Sequence, residues 1–166
     1  MNHISPLELQ QRLAQIKLLA LDVDGVLTDG GLYYTETGEE LKKFNVKDGM
    51  GLKLIMQAGI QVAIITNSTS PTVLHRAKKL GISHVFLGAE DKLSVLENLC
   101  QELHINLEQV AYIGDDINDI PVLKAVGCPL TVADAIPENL SVAIYVTKKL
   151  GGCGAVREVC DRFIFY

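Results

Sequence analysis

The chain has 166 residues, a formal net charge of −5, 48 % hydrophobic residues and 21 % charged residues. Such a chain builds one globular domain with a sizeable core, spanning residues 1–166, and this composition excludes wholesale disorder. The acidic balance argues against a nucleic-acid partner, and no apolar run reaches the ~18 residues that cross a bilayer, so no membrane partner is expected.

Residues 1–15 are polar and carry no apolar signal core, and a cytoplasmic location is expected. Within them, Ser5-Pro6-Leu7-Glu8 reads as a helix start with a serine cap and a proline in the first turn. A strand follows over 17–21. Its apolar run ends abruptly in Asp22, Asp24, Gly25, Thr28 and Asp29. Two β-compatible runs, 31–36 and 39–45, flank Thr37-Gly38 and predict a hairpin inserted after the first strand. Leu32, Tyr33, Leu41 and Phe44 give it apolar surface, which suits either an oligomer contact or packing on its own domain.

Asp48 is the expected cap of a helix running to about Ala58 and closed by Gly59. A second apolar strand, 60–65, stops at Thr66-Asn67-Ser68-Thr69-Ser70. Ser70-Pro71 opens the next helix and Gly81 ends it. A short strand over 84–87 precedes an amphipathic helix over 91–103, and a strand over 110–113 runs into Gly114-Asp115-Asp116-Ile117-Asn118-Asp119. After a short helix, strands over 129–132 and 143–146 flank a turn or helix opened by Pro137. Gly151-Gly152-Cys153-Gly154 reads as a flexible break before a last helix over 155–163, within a glycine-rich tail of about 150–166. Cys100, Cys128, Cys153 and Cys160 form no CxxC pair and are read as reduced thiols. Alternation of strands and helices predicts an α/β fold of Rossmann type, a parallel sheet with helices on both faces.

In open parallel sheets the ligand crevice lies at the carboxyl ends of the strands. Three strands here end in polar sets: Asp22/Asp24/Asp29, Thr66/Asn67 and Asp115/Asp116/Asp119. If these strands are neighbours, at least five carboxylates crowd one rim, and a divalent cation is needed to offset their repulsion. All-oxygen ligation suits Mg²⁺ with a substrate phosphate. Thr66 offers a hydroxyl for phosphate oxygens, and Lys92 offers positive charge. Taken singly, Asp115 or Asp119 is a helix cap and Lys92 a solvated lysine; the joint order points to an enzyme centred on Asp22 and Asp24.

Asp22-Val23-Asp24-Gly25-Val26-Leu27-Thr28, Thr66, Lys92 and Gly114-Asp115-Asp116 with Asp119 together resemble the four motifs of haloacid dehalogenase-type phosphohydrolases. With no large cap insertion, a hairpin after the first motif, and Gly151-Gly152 ahead of Gly154-Ala155-Val156-Arg157-Glu158, the chain is similar to the branch that acts on acidic sugar phosphates. The resemblance implies that Asp22 attacks phosphorus and that Asp24 serves as acid and then base, with the higher pKa of the two. It implies Mg²⁺ held by Asp22, the Asp24 carbonyl and Asp115, with Asp116 and Asp119 orienting the metal site, and Thr66, Asn67 and Lys92 binding the phosphoryl group. It implies a homotetramer assembled through the hairpins, with Arg157 toward the sugar-acid carboxylate; Lys47, just before Asp48-Gly49, is either replacement charge for the cation lost at Asn67-Ser68 or a solvated loop lysine. The implied substrate is 3-deoxy-D-manno-octulosonate 8-phosphate; the alternatives are a nine-carbon sialic-acid-type 9-phosphate, or a non-catalytic module partnering a nucleotide-sugar-forming enzyme. Asn67-Ser68 depart from the Gly-Arg that relatives commonly carry after the second motif, which removes an expected cation.

Overall fold

The computed structural model describes residues 4–165, so the two ends of the 1–166 domain span lie outside it. Its elements in chain order are α1 (Pro6–Leu13), β1 (Leu18–Leu21), β2 (Tyr33–Tyr34), β3 (Glu40–Leu41), α2 (Val46–Gln57), β4 (Gln61–Ile65), α3 (Pro71–Leu80), β5 (His84–Phe86), α4 (Lys92–Leu103), β6 (Val110–Ile113), α5 (Ile120–Ala125), β7 (Cys128–Thr131), α6 (Pro137–Val142), β8 (Tyr145–Val146) and α7 (Ala155–Phe165). Six strands pair in parallel in the order β5-β4-β1-β6-β7-β8, and β2 and β3 form a separate antiparallel ribbon. Among the described residues no helix is long and apolar enough to cross a membrane.

β1 sits at the centre because all four of its residues are apolar and both faces are covered. Alternation sorts its side chains into two cores. Leu19 and Leu21 join a cluster with Leu9 and Leu13 of α1, Leu52 and Ile55 of α2, and Val156 and Val159 of α7. Leu18 and Ala20 join the other, with Leu96 and Leu99 of α4 and Val122 and Leu123 of α5. Each fully buried leucine or isoleucine in these layers stabilises the fold by about 1.5–3 kcal/mol relative to exposure. The three strands whose tips carry the polar sets, β4, β1 and β6, are direct neighbours: Leu21 lies opposite Ile64 on one side and Ile113 on the other.

Three local expectations are corrected. The hairpin strands shrink to two residues each, pairing Tyr33 with Leu41 and Tyr34 with Glu40, because the ribbon stands off the sheet with few cross-strand partners to extend it. Leu32, Tyr33 and Leu41 are exposed, whereas Phe44 packs on the domain core with the Arg76 guanidinium over its ring. The cap of α2 is Asn45, whose side chain accepts from the Lys47 N–H at 2.8 Å, not Asp48. Asp48 is one turn further in, buried, and its Oδ1 accepts the Arg157 N–H of α7 at 2.8 Å. The segment from Gly151 to Gly154 is no flexible break. Gly151 and Gly152 are buried against the loop that follows β1: a Cβ on Gly151 would lie 1.7 Å from the Gly25 carbonyl oxygen, and one on Gly152 would lie 2.4 Å from the Thr28 carbonyl carbon. Glycine is present here for close approach, and at Gly152, with φ +63°, also for a left-handed backbone.

Candidate active site

The site grows from the tip of β1. The Asp22 N–H continues the ladder onto Ile113 O at 3.0 Å. Its side chain turns inward: Oδ1 accepts the Val23 N–H at 2.7 Å and Oδ2 lies 2.8 Å from Lys92 Nζ. Lys92 is the first residue of α4, and its side chain is fully buried. It bridges to Asp119 Oδ1 at 2.7 Å. The same oxygen accepts the Tyr112 hydroxyl at 2.6 Å, while Asp119 Oδ2 accepts the backbone N–H groups of Asp115 at 2.9 Å and Asp116 at 3.3 Å. Asp119 is thus committed to four donors, which shape the loop after β6. Asp116 is exposed and caps the same turn through the Ile117 N–H at 2.7 Å.

Ligand oxygens of Asp22, Asp115 and Asp119 all fall within 4.8 Å of one another. Burial and the Asp119 charge push the Asp22 carboxyl up to about 6, against the pull of Lys92. Burial, with Asp22 and Asp119 beside it, pushes Asp115 up to about 8. Lys92 is opposed by burial, yet the Asp22 and Asp119 carboxylates outweigh it and raise its pKa. Asp115 Oδ1 is buried with no hydrogen-bond partner. A clustered oxygen set with one unsatisfied buried atom and carboxyls destabilised by each other fits a hard divalent cation. Gly25, at φ +86°, lets Asp115 come this close: a Cβ there would stand 1.9 Å from Asp115 Oδ2.

The remaining predicted residues are less tightly gathered. Thr66 is buried at the tip of β4, its Oγ1 accepting the Ser68 N–H at 3.2 Å, and Asn67 is exposed next to it. Lys47 is exposed in the first turn of α2 and borders a hollow with Gly152 and Cys153. Arg157 is turned to its own helix, its Nε donating to Asp161 at 2.6 Å. Asp24 is the junction between the strand tip and a cavity of about 850 Å³, whose walls include Tyr34, Glu40 and Lys42 of the hairpin region and Asn67 and Ser70 beyond β4.

Two residues escape a reading of the sequence. Tyr112 looks like an ordinary core aromatic, yet its hydroxyl braces Asp119; burial and that carboxylate push its pKa well upward, keeping it a donor. Lys42 looks like a solvated ribbon lysine, yet its side chain is 1 % exposed with Nζ 2.6 Å from Asp24 Oδ1 and 2.9 Å from Glu40 Oε1. A usable signal is the alternation Glu40, Lys42, Phe44, which puts opposite charges and an aromatic on one face of the ribbon.

The sequence matches the haloacid dehalogenase-like hydrolases over residues 45–127. It is 51 % identical over 154 residues to the 3-deoxy-D-manno-octulosonate 8-phosphate phosphatase KdsC of Yersinia pestis, an alignment covering 93 % of this chain and 82 % of that protein. Among solved structures, that of the 3-deoxy-D-manno-octulosonate 8-phosphate phosphatase from Moraxella catarrhalis, in complex with magnesium ion, phosphate ion and KDO, superposes with a TM-score of 0.93 at 45 % identity, covering 95 % of this chain and 90 % of that one. The cobalt-bound deoxy-D-mannose-octulosonate 8-phosphate phosphatase from Haemophilus influenzae gives 0.89 at 42 % identity, covering 93 % and 90 %.

Proposed function

The chain belongs to the haloacid dehalogenase-like hydrolases, and from that premise we propose that it hydrolyses 3-deoxy-D-manno-octulosonate 8-phosphate, with Mg²⁺ as cofactor, through an aspartyl-phosphate on Asp22. The observation that carries this reading is the Asp22–Lys92–Asp119 bridge beside the unsatisfied Asp115 oxygen. It holds a nucleophile, a cation and a metal-ready carboxylate at one strand tip. The identity with the Yersinia pestis enzyme supports the choice of ester.

The Asp22 carboxylate, turned toward Lys92, attacks phosphorus in line with the departing sugar oxygen. Asp24 gives that oxygen its proton and then takes one from the water that cleaves the acyl phosphate. Thr66, Asn67 and Lys92 bind the phosphoryl oxygens, where fixed donors and charge lower the barrier most. Mg²⁺, held by Asp22, the Asp24 backbone carbonyl and Asp115, supplies further positive charge there. Asp116 and Asp119 hold the β6 loop in register and are not ligands in this scheme. Lys47 is proposed as a partner of the substrate carboxylate, as is Arg157, on the condition that substrate displaces Asp161 from it. The single domain is proposed to work as a cytoplasmic homotetramer, which the exposed Leu32, Tyr33, Tyr34 and Leu41 of the hairpin support.

The test is phosphate release from the eight-carbon 8-phosphate and a nine-carbon sialic-acid-type 9-phosphate, with Mg²⁺ supplied and then chelated. The expected result is preference for the eight-carbon ester and loss of release on chelation. Preference for the nine-carbon ester would trace to Asn67-Ser68 and overturn the substrate assignment. No release from any sugar phosphate would favour a non-catalytic module.

A further inference from the structure

We propose that Lys42 is a positioning residue through which the β2–β3 hairpin sets the orientation of the Asp24 carboxylate. The inference rests on the acid–base role given to Asp24 above. Asp22 and Asp119 are braced from within the sheet, whereas among the described residues Lys42 is the one side-chain partner of the Asp24 carboxylate. That partner arrives from an extension of the fold. Lys42 leaves β3 next to Leu41, which is 55 % exposed, yet its own side chain is 1 % exposed. Its second partner, Glu40, receives the Tyr34 hydroxyl on Oε2 at 3.2 Å, and its backbone carbonyl accepts from Thr72 Oγ1 at 3.5 Å. A chain of contacts therefore runs from the ribbon and the start of α3, through Glu40 and Lys42, to Asp24.

Stability alone gives poor reason for this arrangement. Placing the Lys42 ammonium out of water beside two partly exposed carboxylates costs desolvation that an apolar side chain would avoid. What the bridge does provide is aim. A half-buried carboxylate on a loop has rotational freedom, and proton delivery to a departing oxygen demands a fixed one. The ribbon's placement and the acid's orientation are thus one variable.

The test compares two esters on the full chain with Mg²⁺ present: the sugar 8-phosphate, whose alkoxide needs a proton to leave, and p-nitrophenyl phosphate, whose phenolate leaves without one. Because kcat/KM reports steps up to phosphorus–oxygen cleavage, it isolates the proton transfer. Lys42→Met is expected to lower kcat/KM for the sugar ester by about 100-fold while the aryl ester changes by less than about threefold. Lys42→Arg, which restores a cation in reach, is expected to recover most of the sugar-ester rate. If Lys42→Met fails to fold by circular dichroism, the charge-matched Glu40→Gln/Lys42→Met pair carries the same comparison. Equal losses on both esters would overturn the inference, assigning Lys42 to phosphate binding or to the fold. An unchanged sugar-ester rate would overturn it as well. A wild-type chain that releases phosphate from neither ester would instead sink the phosphatase reading on which it stands.

Discussion

The tip of β1 and the β2–β3 hairpin meet around Asp24, and they are built by different means. At the tip, Asp22, Lys92, Asp119 and Tyr112 hold one another with bonds of 2.6–2.8 Å inside two packed cores. In the hairpin, Tyr33, Tyr34 and Leu41 are each more than half exposed, and the ribbon is tied to the domain mainly by polar contacts from Glu40, Lys42 and Lys43. The difference separates two tasks. On the proposed function, the nucleophile and its cation sit where burial magnifies charge, while the wall that would face the sugar sits on a surface that changes at low cost to the core.

If that division holds, the largest effect belongs to the tip. Asp22→Asn is expected to lower turnover by about 10⁴-fold or more while circular dichroism stays native, because removing a carboxylate that is crowded by Asp119 costs the fold little. Residual activity near wild type would move the nucleophile elsewhere.

Next in size is the electrostatic tension of the same cluster. Asp22 is raised from 3.8 to about 6, chiefly by burial. Between those values the folded protein keeps a proton that the unfolded chain has released, so stability falls as pH rises through that window. For Asp22 the loss is about 3 kcal/mol. Asp115, raised to about 8, extends the decline toward that pH. Thermal denaturation in chelator should show a falling midpoint from pH 4 to 8. Added Mg²⁺ should raise the midpoint more at pH 8 than at pH 6, since it binds the ionised forms. A midpoint indifferent to both pH and Mg²⁺ would mean the cluster is not strained.

Gly151→Ala probes whether the tail belongs to the rigid region. The added methyl collides with the Gly25 carbonyl, so a loss of about 1–3 kcal/mol is expected, along with lower turnover as the loop bearing Asp24 shifts. Smallest of all, Tyr33→Ser with Leu41→Ser, a cross-strand pair, should change the stability of the single chain by no more than about 0.5 kcal/mol. Sedimentation should nevertheless show a smaller assembly. An unchanged mass would leave the exposed ribbon without a self-association role.

What the sequence discloses follows the same divide. The acid-tipped strand of Leu18 to Leu21, the neighbouring tips at Thr66 and Asp115, and Lys92 at a helix start are all legible, because a buried parallel strand announces itself by an unbroken apolar run and ends at the crevice. Asp48 misleads because an acid near a helix start is a common cap, while its true partner, the Arg157 N–H, is 109 residues away. Gly151-Gly152 misleads because the same residue type serves looseness and close approach, and the backbone it rests on belongs to Gly25 and Thr28. Lys42 is hidden because charge on a ribbon normally faces water, and its burial depends on where the ribbon folds back.

The glycine contact between residues 25 and 151 has a consequence for how the protein comes into being. β1 is made before either of its flanking strands, β4 and β6, and the loop beyond it rests on Gly151 and Gly152. Such distant pairings are the slow ones, since the intervening chain must first be gathered in. A nascent chain stalled before residue 151 already carries Asp22, Asp24, Lys92 and Asp115, with nothing beneath the loop in which Asp24 stands. On the proposed function, catalytic competence therefore waits for Gly151 and Gly152, long after Asp22 and Asp24 themselves are made.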